Sequence, residues 1–80
     1  MPTVLRLGPY RFFFYSNEGF EPPHVHMERD DGNAKFWLTT VALASSQGIA
    51  AQELRRLERI VAEHRERFIE AWNDHFDPRP

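Results

Sequence analysis

The spacing of the hydrophobic residues changes near Thr39, and this change constrains the fold more than any other feature of the sequence. Before Thr39, apolar and aromatic residues alternate with polar ones in short runs, which is typical of strands with one buried face. After residue 50, apolar residues recur at the spacing of one helix face, and they are Leu54, Leu57, Val61, Phe68, Trp72 and Phe76. The sequence therefore predicts an α+β domain in which a long amphipathic helix covers one face of a small sheet.

The first part of the chain, residues 1–38, is predicted to contain three to four mostly antiparallel strands. The predicted strands are Thr3–Leu7, Tyr10–Tyr15, a third strand that begins at His24, and Ala34–Leu38, with breaks at Gly8–Pro9, at the loop 16–23 and at the tight-turn sequence 30–33.

The second part of the chain is predicted to be helical. Residues 39–48 are predicted to form a short helix, because Thr39 or Thr40 can cap its start and Gly48 suits its end. Residues 50–76 form the predicted long helix, with Glu53 as a capping residue in its first turn. The predicted order is β-β-β-β-α-α, in a single domain that spans residues 1–80.

Composition excludes several classes of protein. The chain has no cysteine, which excludes disulfides and thiolate metal sites and fits a reducing cytoplasm. It has no apolar run of membrane-spanning length and no signal-peptide pattern, so we expect a cytoplasmic protein without membrane contact. The formal net charge of −2 argues against binding nucleic acid by bulk attraction, although a local basic patch is compatible with it.

Strand alternation sorts the side chains onto two faces of the predicted sheet. The inner face, which we expect under the long helix, consists of Phe12, Phe14, Val25, Met27, Phe36 and Leu38. The outer face consists of Arg11, Phe13, Tyr15, His24, His26, Lys35 and Trp37. An outer face that is both basic and aromatic indicates a contact site.

Two kinds of function suit this outer face. His24 and His26 are candidate catalytic acid and base groups, since histidine titrates near neutrality. Arg11 and Lys35 are then candidate phosphate ligands, and Phe13, Tyr15 and Trp37 can stack bases. The same aromatic and basic side chains suit a protein partner equally well, since such residues dominate protein interfaces. A further interpretation is that both histidines are ordinary polar residues on a solvated strand.

Metal binding is the third candidate chemistry for His24 and His26. Zinc normally takes three or four protein ligands. The residues that could add to the pair are Glu28, Asp30, Asp31, His64 and His75, and their spacing selects none of them. The sequence therefore predicts neither a metal site nor a cofactor.

Several motifs together resemble a known family. The segments "YRFFFYSNE", "PPHVH" and "AKFWL", followed by "ELRRLERIVAEHRERFIEAWNDHF", are similar to the small prokaryotic family catalogued as domain of unknown function 4160, over nearly the whole chain. The residues that match the family are Arg11, Phe12, Phe13, Tyr15, Glu18, Pro23, His24, His26, Lys35 and Trp37. One departure is Ala50, where the family usually has Ser or Thr before the long helix.

The resemblance also implies a partner. Genes of this family often lie beside a gene for domain of unknown function 2442, in pairs proposed to be toxin–antitoxin-like. The leading hypothesis is therefore a toxin–antitoxin-type protein whose outer face engages RNA, and whether it also cleaves the RNA, as a metal-independent ribonuclease, is left open. The alternative is a non-catalytic module that binds a small cognate protein, encoded nearby, through the same face. The oligomeric state is left open.

Overall fold

The computed structural model describes residues 3–76, which form a five-stranded antiparallel sheet followed by two helices. The elements are β1 (Thr3–Leu7), β2 (Tyr10–Phe13), β3 (His24–Arg29), β4 (Gly32–Trp37), β5 (Ala42–Gln47), α1 (Ala51–Glu63) and α2 (Arg65–Phe76). Neighbouring strands in the chain are neighbours in the sheet, in the order β1-β2-β3-β4-β5. The α+β class is confirmed. The sheet has five strands, whereas three to four were predicted.

The additional strand is β5, and the predicted short helix over residues 39–48 is wrong. Residues 38–41 form a turn in which Val41 has a φ of 51°, and the chain then returns antiparallel to β4. Pairing with β5 satisfies backbone groups of β4 that would otherwise lack partners. This tertiary requirement outweighs the weak local preference of "ALASSQ" for helix.

The predicted long helix is divided in two at His64. Its backbone has a φ of −105° and a ψ of 14°, outside the helical range, while its N–H still donates to the Ile60 carbonyl at 3.1 Å. The N–H of Phe68 donates to the His64 carbonyl at 3.0 Å, so α2 begins immediately after the break. Ala50 stands at the N-cap of α1 without a side-chain bond, as its methyl group dictates.

The predicted inner face is confirmed as the core of the molecule. All six of its side chains are at most 1% exposed, and they pack against Leu57 and Val61 of α1 and Phe68 and Trp72 of α2. The ring centroids of Phe12 and Phe68 lie 5.3 Å apart. Complete burial of aromatic and aliphatic side chains is the main source of stability in a domain of this size.

A polar network joins the sheet to the first turn of α1. The Arg29 guanidinium donates two hydrogen bonds to the Glu53 carboxylate, at 2.7 and 2.6 Å, and the Tyr10 hydroxyl donates a third at 2.8 Å. These bonds lower the pKa of Glu53 to about 2, and the bonds from Arg29 have a larger effect than the bond from Tyr10. Glu53 therefore fixes the helix on the sheet, and it does not serve as the capping residue that its position in the sequence predicts.

No helix within residues 3–76 combines the length and the apolar character needed to cross a membrane.

Candidate functional site

The outer face brings most of the predicted site residues together. In the strand register Phe13 pairs with His26, and His26 pairs with Lys35 on its other side. His24 pairs with Trp37 at the neighbouring position of the same face. Tyr15 follows the end of β2, and its ring centroid lies 4.6 Å from that of His26. His26 is therefore the centre of the cluster.

His24 is fully buried, which distinguishes it from the rest of the outer face. Its exposure is 0%, and its ring lies 4.8 Å from that of Trp72 and 5.7 Å from that of Trp37. His24 is the first residue of β3, and at this end of the sheet the preceding loop and α2 both reach its side chain. A substrate on the outer face cannot reach this imidazole as it could reach the partly exposed ring of His26.

Glu18 connects the two histidines and was not among the predicted site residues. Its Oε1 atom lies 2.8 Å from Nε2 of His24 and 2.6 Å from Nε2 of His26. Glu18 belongs to the irregular loop before β3, where no periodic pattern indicates which way a side chain points. The available signal was its place among the residues that match the family, in a loop that leads directly into "PPHVH".

Two oxygen atoms fix the orientation of the His24 ring. Nδ1 of His24 lies 3.0 Å from the carbonyl oxygen of Pro22, which only accepts, so Nδ1 carries a proton. Nε2 lies 2.8 Å from Oε1 of Glu18, the same atom that meets Nε2 of His26.

Burial and hydrogen bonding shift the pKa values of Glu18 and His26. For Glu18, burial raises the pKa, but hydrogen bonds from His24 and His26 outweigh it and leave the pKa below its ordinary value. For His26, burial lowers the pKa more than the nearby Glu18 carboxylate raises it. Near neutral pH both shifts favour an ionised Glu18 and a neutral His26.

The two cations of the outer face are already paired within the chain. Arg11 donates to Glu28 Oε2 at 3.1 Å and to Thr3 Oγ1 at 2.8 Å, and its guanidinium stacks 4.4 Å from the ring centre of Phe13. The ammonium of Lys35 donates to Glu21 Oε1 at 2.7 Å and lies 4.6 Å from the ring centre of Trp37. Both cations would therefore have to leave a carboxylate partner in order to bind a phosphate group.

Among the surface hollows of residues 3–76, one borders the outer face and another borders the β5 edge. The outer hollow, of about 380 Å³, is bordered by Phe13, Tyr15, His26 and Lys35 and by the carboxylates of Glu28, Asp30 and Asp31. The edge hollow, of about 220 Å³, lies between β5 and α1 and is lined by Leu43, Ala51, Leu54, Arg55 and Glu58. Phe13 is 3% exposed, so its ring supports the outer hollow from below and offers little face for stacking.

Three donor atoms in the site are close enough to share a metal ion. Within residues 3–76, Glu18, His24 and His26 form a group whose ligand atoms all lie within 4.8 Å of one another. The acidic residues and histidines that were considered from the sequence as additional ligands are not in this group. The loop residue Glu18 supplies the third donor that the spacing could not select.

Comparison with known proteins gives one match. The family model described as Domain of unknown function (DUF4160) matches residues 10–73, which include β2 to β5, the site loop and most of both helices. No curated protein and no solved structure matches the chain.

Proposed function

The chain belongs to the family described as Domain of unknown function (DUF4160), and we propose that it is a non-catalytic interaction module that binds a small protein partner. The partner is the small cognate protein, encoded nearby, that the family resemblance implies. It adds an extended segment to β5 and covers the adjoining part of the outer face. The observation that carries this proposal is the exposed and uncharged edge of β5 beside an apolar hollow.

The edge of β5 offers backbone groups to another strand. Within residues 3–76, β5 is an edge strand paired with β4 alone, and none of its residues 42–47 is charged. Natural sheets usually protect such an edge with Lys, Pro or a covering element. β5 carries one bulge at Ala44, which bends the strand locally, and residues 45–47 beyond it pair with β4 in regular register. An edge of this kind favours the addition of a partner strand.

The edge hollow gives the added strand a place for one apolar side chain. Leu43 is 39% exposed and points to the inner side of the sheet, where Leu54 of α1 borders the same hollow. In strand addition, the backbone hydrogen bonds supply affinity and such pockets supply specificity. The expected partner segment is therefore extended, with an apolar residue flanked by polar ones that face Arg55 and Glu58.

The electrostatics of the outer face favour a protein over RNA. Arg11 and Lys35 are paired with the carboxylates of Glu28 and Glu21, and two further acidic residues, Asp30 and Asp31, border the outer hollow. Phosphate groups are bound by cations in excess, and here the local charges are balanced or acidic. A protein surface with its own mixed charges suits this arrangement better.

The test uses a pair of matched leucines on the two edge strands. The tag-free chain is co-expressed with the product of the adjacent small gene, and complex formation is measured by size-exclusion chromatography and calorimetry. We expect Leu43→Asp to weaken binding at least about tenfold, since a desolvated charge in an apolar pocket costs more than 1.4 kcal/mol. Leu7→Asp changes an equally exposed leucine, 38% exposed, on the opposite edge strand β1, and we expect it to leave binding unchanged.

Equal binding by wild type and Leu43→Asp would remove β5 as the docking edge. Equal loss in Leu43→Asp and Leu7→Asp would show that the effect comes from the added charge and not from the position.

Ribonuclease action is the second candidate function, because Tyr15, His26 and Lys35 border the same outer hollow. In that case His26 is the acid or base group that meets substrate, since His24 is enclosed. Induced expression should then stop growth in a manner that His26→Gln relieves, and the purified protein should cleave RNA. Intact RNA after prolonged incubation with folded protein rejects this function.

A further inference from the structure

Strand addition at β5 does not use the cluster of metal-ligating side chains formed by Glu18, His24 and His26. We propose that this cluster binds one divalent transition-metal ion. Zn²⁺ is the ion whose usual ligands fit this set best, because it is commonly held by imidazole nitrogens and a carboxylate oxygen. Two histidines and one carboxylate also leave one coordination position open to water or to a ligand.

The first argument is the convergence of the donor atoms. The ligand atoms of Glu18, His24 and His26 all lie within 4.8 Å of one another. Oε1 of Glu18 lies 2.8 Å from Nε2 of His24 and 2.6 Å from Nε2 of His26, so a single ion at this point is within reach of all three side chains.

The second argument is the orientation of His24. Metal-ligating histidines almost always donate their other ring N–H to a carbonyl, a carboxylate or a water, which fixes the tautomer and the ring plane. Pro22 supplies such a carbonyl, and the rings of Trp37 and Trp72 hold the imidazole from two sides. His24 is thus oriented so that Nε2, the nitrogen that faces Glu18, is the one that can coordinate a metal ion.

The third argument is that the site can open by the small amount an ion needs. Ligand atoms on a tetrahedral zinc ion lie about 3.3 Å apart, given bonds of about 2.0–2.1 Å. The present contacts of Glu18 Oε1 with the two Nε2 atoms are 2.8 and 2.6 Å, so the ion must lengthen each by about 0.5–0.7 Å. Glu18 lies in a loop and is 21% exposed, and a shift of its side chain provides this space without moving a strand.

The open position lies on the accessible side of the cluster. His26 borders the outer hollow, whereas His24 is enclosed by the two tryptophans. A bound ion would thus be reached through the side formed by Glu18 and His26, whose side chains are 21% and 15% exposed.

The experiment titrates chelator-treated, tag-free full-length protein with Zn²⁺ in a calorimeter, and with Co²⁺ by visible absorption. We expect one ion per chain, Co²⁺ bands typical of a low coordination number, and a rise in melting temperature with Zn²⁺, because an ion that binds the folded state stabilises it. The variants Glu18→Gln and His26→Ala should each weaken Zn²⁺ binding at least about tenfold. Even the loss of a residue that only hydrogen-bonds to a metal ligand lowers metal affinity by about 10–100-fold.

Matched controls are Glu70→Gln and His75→Ala, which change exposed residues of α2 outside the cluster and should bind Zn²⁺ as wild type does. Glu18→Gln preserves side-chain size, so it carries the test if His26→Ala does not fold. The proposal is overturned if wild type does not bind Zn²⁺, or if Glu18→Gln binds it as tightly as wild type. Leu43 pairs with Phe36, which pairs with Val25, so Leu43 lies two strands away from the two histidines and on the opposite face of the sheet. Either result therefore leaves the docking test at β5 unaffected.

Discussion

His24 and His26 stand one residue apart on the same strand, yet their surroundings give them different roles. His24 is enclosed and makes two hydrogen bonds, to Pro22 and to Glu18. His26 is partly exposed and stacks on Phe13, with ring centroids 5.5 Å apart. His24 therefore belongs to the framework of the site, and His26 is the member of the pair that meets what binds there.

This difference predicts unequal effects on stability. We expect His24→Ala to lower the free energy of unfolding by about 3 kcal/mol, because it leaves a cavity in place of a fully buried ring and removes its hydrogen bonds with Pro22 and Glu18. His26→Ala should cost about 1 kcal/mol, since water can replace its partly exposed contacts. Urea unfolding measures both values, with His75→Ala as an exposed control. Equal destabilisation by His24→Ala and His26→Ala would contradict the assigned roles.

The same difference shows how far the sequence could predict the site. Strand alternation correctly grouped Phe13, His26, Lys35 and Trp37, because period-two geometry fixes the side on which each residue lies. It could not predict the enclosure of His24, which depends on Trp72, 48 positions away in the chain. It could not place Glu18 either, because loop conformation has no periodic signal.

At the scale of elements, β5 shows where local patterns fail. The segment "ALASSQ" has no strong preference, and its conformation is decided by the open edge of β4. The break at His64 was missed for a related reason. Leu57, Val61, Phe68 and Trp72 keep one helical face across it, so the hydrophobic pattern gives no sign of the interruption. By contrast, the hairpin at Asp30–Asp31 was predictable, because aspartate tolerates the φ of 48° found at Asp30.

The attachment of α1 to the sheet predicts a pH dependence. The pKa of Glu53 is about 2 in the folded chain, mainly because of Arg29, and its ordinary value is 4.5. A lowered pKa stabilises the folded state fully above about pH 4.5, and this contribution is lost as the pH falls toward about 2. In urea unfolding, the stability difference between wild type and Glu53→Gln should therefore shrink over this range.

The control for Glu53 is Glu58→Gln, an exposed glutamate of the same helix. We expect its difference from wild type to change much less with pH. A constant difference between wild type and Glu53→Gln from pH 5 to about 2 would contradict the ion pair as the source of the effect.

At the scale of the whole molecule, one core joins the sheet to both helices. The core takes residues from β2, β3, β4, α1 and α2 and contains no separate cluster for either helix. Elements that share one core usually unfold together. We therefore expect a single cooperative transition for the described part of the chain, residues 3–76.

Tryptophan fluorescence and circular dichroism together test this cooperativity. Trp37 reports on the outer face and Trp72 on the core, while circular dichroism follows α1 and α2. The Trp37→Phe and Trp72→Phe variants separate the two fluorescence signals. We expect all three signals to give the same midpoint in urea within error. An earlier midpoint for the helical signal would contradict a single transition, and an earlier midpoint for Trp72 as well would identify α2 as the element that unfolds first.

The bare edge of β5 has a consequence for the cell that makes this protein. In the described part of the chain β5 has a neighbour on one side only, and an uncharged strand with such an open side is a template for other chains, including further copies of itself and nascent polypeptides with similar segments. For the interaction module that we propose, synthesis in excess over its partner would then lead to insoluble deposits. A host that keeps such a chain in solution would gain from producing it together with that proposed partner, in matched amounts.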